Sequence, residues 1–497
     1  MKAMISKGVA PLLAALLLTA CGAPVFKQPT IETPAAFRES QVPAADEVTI
    51  GSDGSRWKPA RPAEQQARGE WWRAFNDPAL TGLIEEATRN NATLAVAAAR
   101  VKQARAIAGI AGADRVPQVG LGVGAQRGRA AALEVGQPEG TKLSSQTTYS
   151  AHLTASYELD LFGRVASNVA ATRGDTASSE ATYRSVLLSL QADVAQQYFR
   201  LRATDAELAT VAQTVGLREE SVRVTQRRFD LGDIGEFDLS RAKTELATTR
   251  AEAIGLQRQR TTAEHALAVL LGKPAANFTA GPSPLLDTAL MPSIPAGMPS
   301  SLLERRPDIA AAQRAMEAAN ARIGVARAAR FPALSIGASG GNVAGTLADA
   351  FAWSSGSWMV GALAALPIID GGRNKANVTR SEAALEETVA AYRQSVLTAF
   401  AEVEDNLAGL RIVSGQGAQI EEAVVSARRS ADLAQKLYDA GRSSYLELLD
   451  AQRNLAAVER SAVQLRGNRA VTTVALIRAL GGGWDAPATS ENTQARN

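Results

Sequence analysis

The second half of this chain repeats the first, and that repetition limits the possible folds more than any other feature. Phe229-Asp230-Leu231-Gly232 matches Tyr438-Asp439-Ala440-Gly441 at an offset of 209 positions. The same offset pairs Leu239 with Leu448, Gly163-Arg164 with Gly372-Arg373, and Leu271-Gly272 with Leu480-Gly481. Further upstream the offset becomes 215, where Ala321 to Pro332 echoes Ala106 to Pro117. The first copy is therefore six residues longer between Pro117 and Gly163, a region that includes the polar stretch Gly128 to Ser145. Between the copies Pro274, Pro282, Pro284, Pro292, Pro295 and Pro299 exclude a regular helix, because each removes a backbone donor.

Within each copy the apolar period changes from two to seven. After Pro117 come Val119, Leu121, Val123 and Ala125, then Tyr149, Ala151, Leu153, Ala155, Tyr157 and Leu159. Ser150, His152, Thr154, Ser156 and Glu158 alternate with the second set. Such alternation predicts strands with one apolar and one polar face. Leu334, Ile336 and Ala338 begin the same pattern, and Ser357 to Leu366 is a fourth segment with two rather apolar faces. Each run is about ten residues, the length a tilted strand needs to cross a bilayer. Then apolar residues recur every seven positions at Leu187, Val194, Leu201, Leu208, Val215, Val222 and Phe229. The second copy has Val396, Val403, Leu410, Gly417, Val424, Ala431 and Tyr438, broken only at Gly417. Sustained heptads predict long helices packed as coiled coils. Gly232 and Gly441 then permit a positive φ where the chain turns back.

These patterns divide the chain into a signal peptide (1–20), an extended N-terminal arm (21–70), repeat 1 (71–272), a Pro-rich linker (273–301), repeat 2 (302–484) and a disordered tail (485–497). The predicted strands span about 117–127 and 148–161, then 332–341 and 357–369. The long helices span about 163–230 and 372–438, and the returning helices about 236–271 and 444–480. Four membrane strands cannot close a barrel, because open edges in lipid leave backbone groups unpaired. The chain is therefore expected to share a barrel with copies of itself.

The N-terminus reads as an address. Lys2 and Lys7 precede a short apolar run from Val9 to Leu18, and Leu18-Thr19-Ala20-Cys21 ends it. The chain's sole cysteine thus falls where a lipobox requires the residue that is lipidated. A disulfide within the chain is excluded. With His152 and His265 the only histidines, there is little from which to build a soft metal site or a Cys/His nucleophile pair. No Ser/His/Asp order or metal spacing stands out, so an enzyme is not expected, and no cofactor is implied. A net charge of +3 gives no support for a nucleic-acid partner.

Several motifs together resemble the TolC-like outer-membrane efflux family, and most of all its OprM/NodT-like lipoprotein branch. They are the lipobox, Trp71-Trp72-x-x-Phe75-x-Asp77-Pro78, Asp160-Leu-Phe-Gly-Arg164, Leu303-Glu-Arg-Arg-Pro-Asp308, Asp370-Gly-Gly-Arg373, and Tyr438-x-x-Gly441 followed by Leu448-Leu-Asp-Ala-Gln-Arg453. The resemblance implies a mainly α fold with membrane β: a homotrimer sharing a twelve-stranded β-barrel and a periplasmic α-barrel. It implies anchorage to outer-membrane lipid through Cys21, an inner-membrane pump of the resistance-nodulation-division class, a periplasmic adaptor, and export of small toxic compounds or antibiotics. In the family the hairpin tips form the closed periplasmic entrance and the adaptor's docking surface. Carried onto this chain, the gate residues are Glu447, Asp450, Asp238 and Tyr438, and the docking tips are Gly232, Asp233, Gly441 and Arg442. The chain departs from the family's best-known member with Glu at 447 in place of Asp, and with Ser443 in place of a gate-stabilising Arg. Ser444-x-x-Glu447 also fits a helix capping box, a rival role for Glu447. Two other functions remain open: the duct of a type I protein secretion system, against which the lipobox weighs, and a non-pore coiled-coil envelope lipoprotein, against which the strand pairs weigh.

Overall fold

A computed structural model describes residues 24–31, 33–34, 36–39, 49–50, 56–57, 69–285 and 299–482. The signal peptide, Cys21, much of the arm, and the tail lie outside the described residues. A minimal ladder pairs Thr49–Ile50 with Arg56–Trp57.

Repeat 1 runs α1 (Pro78–Asn90), α2 (Ala92–Ala113), β1 (Gln118–Gly128), β2 (Gln146–Leu159), α3 (Arg164–Asp230) and α4 (Glu236–Leu270). Repeat 2 runs α5 (Pro299–Arg305), α6 (Pro307–Ala328), β3 (Ala333–Ala344), β4 (Gly356–Ala365), α7 (Arg373–Asp439) and α8 (Tyr445–Ala479). The helical stretch before each strand pair is broken once, a break the sequence reading did not resolve. Asn91 breaks it in the first copy: its Oδ1 accepts the Leu94 amide at 3.0 Å, capping α2. Arg306-Pro307 breaks it at the repeat-equivalent position, where proline suits the first helical residue. Helix α5 begins at Pro299, inside the stretch assigned to the linker, by the same preference. Strand β4 stops at Ala365 and not near 369, because Pro367 has no donor for the ladder.

The chain forms two compact units. One contains Arg100–Glu180, Ala311–Tyr392 and the arm as far as Thr30. Its sheet is antiparallel throughout, in the order β1-β2-β3-β4, so β1 and β4 are its free edges. Leu121 pairs with Leu153, Leu153 with Gly340, and Gly340 with Trp358. One face therefore gathers Val119, Leu121, Val123, Tyr149, Leu153, Tyr157, Ile336, Trp358 and Val360, while the other carries Ser150, His152, Thr154, Ser156 and Ser339. The loop joining β1 to β2 is six residues longer than that joining β3 to β4, so the first copy's extra residues lie there. Asp160 accepts the Val165 and Ala166 amides at 3.0 and 2.7 Å, starting α3. Asp370 starts α7 likewise, through Gly372 and Asn374, and those two backbone bonds hold its carboxyl below the usual range. Phe162 stacks on Phe331 at 5.0 Å. Gly174 lets α3 and α6 touch: a Cβ there would lie 2.9 Å from that of Ala318.

The second unit contains Ala181–Ala310, Arg393–Asn497 and Ile31–Ala99. Its core joins Trp71, Trp72, Phe75, Leu80 and Ile84 to Val194, Phe199, Leu201, Leu267, Val474 and Ile477. Tyr198 donates to Asp77 at 2.6 Å, and burial together with that bond pushes its phenol pKa up. Asp205, almost fully buried between Arg202 and Arg260, accepts the Ser283 amide at 3.0 Å and so pins the start of the linker to α3. Both heptad series point inward; Phe229, at 36% exposure, is the most open of the heptad positions. At 67 residues each, α3 and α7 are on the order of 100 Å long. No described helix is both long and apolar enough to cross a membrane.

Candidate functional site at the hairpin tips

Helices α3 and α4 form one hairpin and α7 and α8 the other. Gly232 and Gly441 end the long helices at φ 81° and 70°. Each closes a Schellman turn, with the Asp233 amide on the Arg228 carbonyl at 2.9 Å and the Arg442 amide on the Leu437 carbonyl at 2.8 Å.

The two returning helices start differently. Ser444 Oγ accepts the Glu447 amide at 3.3 Å and Glu447 Oε2 accepts the Ser444 amide at 3.0 Å, a complete capping box. Gly235 precedes α4 with no side-chain cap. Asp238, the repeat equivalent of Glu447, donates its amide to the Gly235 carbonyl at 3.3 Å.

The structure gathers the candidate gate residues into two sets. Glu447, Asp450 and Arg442 line an open groove of about 940 Å³ with Arg453, Leu433 and Leu437. Asp238, Tyr438 and Gly441 line a smaller one of about 370 Å³ with Phe237, Arg228 and Arg241. Gly232 and Asp233 line neither. Ser443 borders both, and its hydroxyl is buried with no hydrogen-bond partner among the described residues.

Contacts that the sequence reading did not anticipate tie the two hairpins together. Tyr445, Leu449 and Ala242 form a small core with Val222 and Tyr438. The Arg228 guanidinium lies 5.1 Å from the Tyr438 ring centroid. The Ser221 and Tyr445 hydroxyls are 3.0 Å apart, and Arg218 Nη1 donates to Gln452 at 2.6 Å. Burial lowers the Arg218 pKa. Arg453 Nε donates to Glu245 at 2.9 Å, and Arg460 meets Glu252 and Glu207. The bond from Arg453 holds the Glu245 carboxyl below the usual carboxylate range. A signal was present: Glu245 and Glu252 are seven apart, as are Arg453 and Arg460, the heptad spacing with opposite charge.

Residues 83–273 and 298–482 match the family model for outer membrane efflux proteins. The toluene efflux pump outer membrane protein TtgC of Pseudomonas putida is 35% identical over 457 residues, covering 92% of this chain and 94% of that one. The cation efflux system protein CusC of Escherichia coli is 33% identical over 485 residues, covering 95% and 98%. The solved structure of the outer-membrane channel OprN superposes with a TM-score of 0.81 at 29% identity, covering 93% and 99%. This chain belongs to the outer membrane efflux protein family. Its place is the outer membrane and its role is efflux.

Proposed function

We propose that the chain is the exit duct of a tripartite pump and has no enzymatic activity. It works as a homotrimer with a periplasmic adaptor and an inner-membrane transporter of the resistance-nodulation-division class. The observation that carries this is the four-stranded sheet with two unpaired edges, leading into helices of 67 residues. Edges are not tolerated in lipid, so β4 of one copy pairs with β1 of the next until a ring closes. Three copies give twelve strands, within the range of bacterial barrels. Lipidated Cys21 holds each copy in the outer membrane. Small toxic compounds are the cargo, consistent with the toluene pump named for one relative.

The tips serve as gate and adaptor seat. Glu447 and Asp450, with Tyr438 and Asp238 beside them, narrow the entrance; Gly232, Asp233, Gly441 and Arg442 present the turns to the adaptor. Threefold repetition of Glu447 and Asp450 puts six carboxylates round one opening, a charged ring of the kind that favours cations. The capping bonds of Glu447 do not compete with this, because a carboxylate has acceptor positions to spare.

Purified protein in planar bilayers should pass single-channel current, and a deletion strain should become sensitive to small toxic compounds while still secreting protein. Glu447→Gln with Asp450→Asn should weaken block of that current by multivalent cations several-fold. Unchanged block removes the ring and leaves Glu447 as a cap; no current at all returns the chain to the non-pore reading.

A further inference from the structure

Strand β4 breaks the rule its sheet otherwise follows. On β1, β2 and β3 the face opposite the apolar one is mostly glycine and side chains with hydroxyl, amide or imidazole groups, with Ala333 and Val343 at the two ends of β3 the apolar exceptions. Along β1 it reads Gln118, Gly120, Gly122, Gly124 and Gln126, and along β2 Thr148, Ser150, His152, Thr154 and Ser156. That face turns inward if the apolar one meets lipid. On β4 the inward positions include Met359 and Leu363, which the register sets opposite Ser339 and Ser335. They are 66% and 65% exposed.

Two further observations say what such a strip would meet. Because β1 and β4 are the free edges, closure of a shared wall brings β4 beside β1 of the next copy. The middle of the inward face of β1 is Gly120, Gly122 and Gly124, between Gln118 and Gln126, so that stretch offers an apolar neighbour no side chain. The inward face also carries a single charged side chain among the described strand residues, Glu158. Arg164 engages both its oxygens, at 2.6 and 2.7 Å. No unpaired charge is left on that face to recognise an ion.

We propose that Met359 and Leu363 form an apolar lane on the lumen wall, bordered by the glycines of β1 and repeated once per copy. It takes neutral or amphiphilic solutes with an aromatic or aliphatic body. Methionine suits varied guests, since its unbranched, polarisable chain adapts to different shapes. The inference rests on the duct reading and narrows its cargo: the lane favours uncharged organic molecules over metal cations.

The test uses the intact channel in planar bilayers with 1-naphthol as the apolar probe and glucose as the control. 1-Naphthol should reduce the wild-type conductance or raise its current noise in a saturable way, and glucose should do neither. Met359→Gln with Leu363→Gln should raise the half-effect concentration of 1-naphthol by about threefold, the order expected for partial loss of apolar contact. Block by multivalent cations should stay as in wild type. If the double variant does not assemble, Leu363→Thr, on a face already rich in hydroxyls, should shift the concentration in the same direction. A wild type insensitive to 1-naphthol, or variants with an unchanged half-effect concentration, overturns the lane and leaves the duct standing. A wild type without conductance overturns the duct itself.

Discussion

The two helical hairpins share a plan and differ in polarity. Arg250 of α4 binds Glu219 of α3 at 2.7 Å. At the repeat-equivalent positions Arg428 of α7 binds Glu459 of α8 at 2.8 Å. The staple sits at the same place in each hairpin with its charges exchanged. Either polarity closes a hairpin equally well. Across hairpins the exchange bears on register: α3 meets α8 natively through Ser221 with Tyr445 and Arg218 with Gln452, whereas α3 against α8 in the hairpin register would set Glu219 beside Glu459, and α7 against α4 would set Arg428 beside Arg250. Like charges in those positions disfavour the wrong pairing of two nearly identical repeats.

The bases of the hairpins differ in a second way. Asn91 Nδ2 donates to the Leu270 carbonyl at 2.9 Å, and Arg306 Nη1 donates to the Ala479 carbonyl at 2.9 Å. These are equivalent residues reaching equivalent carbonyls near the ends of α4 and α8. The amide does so without charge. The guanidinium is 8% exposed and is engaged by Asp308 and by Glu402 at 2.6 Å. Burial works against its charge, yet those two carboxylates keep its pKa above the ordinary value.

That contrast predicts the largest effect. Arg306→Ala removes a buried donor from the Ala479 carbonyl together with its charged bonds to the more open Asp308 and Glu402, and should cost about 2 to 3 kcal/mol. Asn91→Ala should cost about 1 to 2 kcal/mol, the loss of a cap and one buried bond. Denaturant unfolding of the two variants checks this; equal losses would mean that the charge adds nothing to the clamp. The tips come next. Ser444→Ala should cost about 1 kcal/mol, while Gly235→Ser, at a position with open space, should gain part of that amount. If neither shift appears in the unfolding midpoint, the caps do not distinguish the turns. Smallest is the staple. Glu219→Arg with Arg250→Glu should alter stability by no more than about 0.5 kcal/mol, because both groups are exposed. A larger shift of the unfolding midpoint would mean that the staple carries more than an exposed ion pair.

Repetition, the strand alternation and the heptads were legible because each is written in spacing along the chain, and spacing decides which residues share a face. Even the two apolar faces of β4 showed, although not which of them would turn inward. The residues that join distant segments were not legible. Asn91 is one polar residue in a helical run until Leu270, 179 positions later, arrives beside it. Glu245 and Arg453 stand 208 apart, and nothing local announces that α4 and α8 run side by side at that register. Glu447 could be read as a cap because its partner is three residues away. Arg306 could be read only as part of a motif, since beyond the neighbouring Asp308 its partners lie 96 and 173 positions off.

The free margins of the β1-to-β4 sheet also bear on inheritance. A copy whose β1 margin is spoiled still offers a sound β4 to its neighbour, so it is recruited and then leaves one seam open. In a cell making sound and spoiled copies in equal amounts, random threefold assembly leaves about one complete ring in eight. Lesions along those margins should therefore be dominant, whereas a copy that never folds is merely absent and should be recessive.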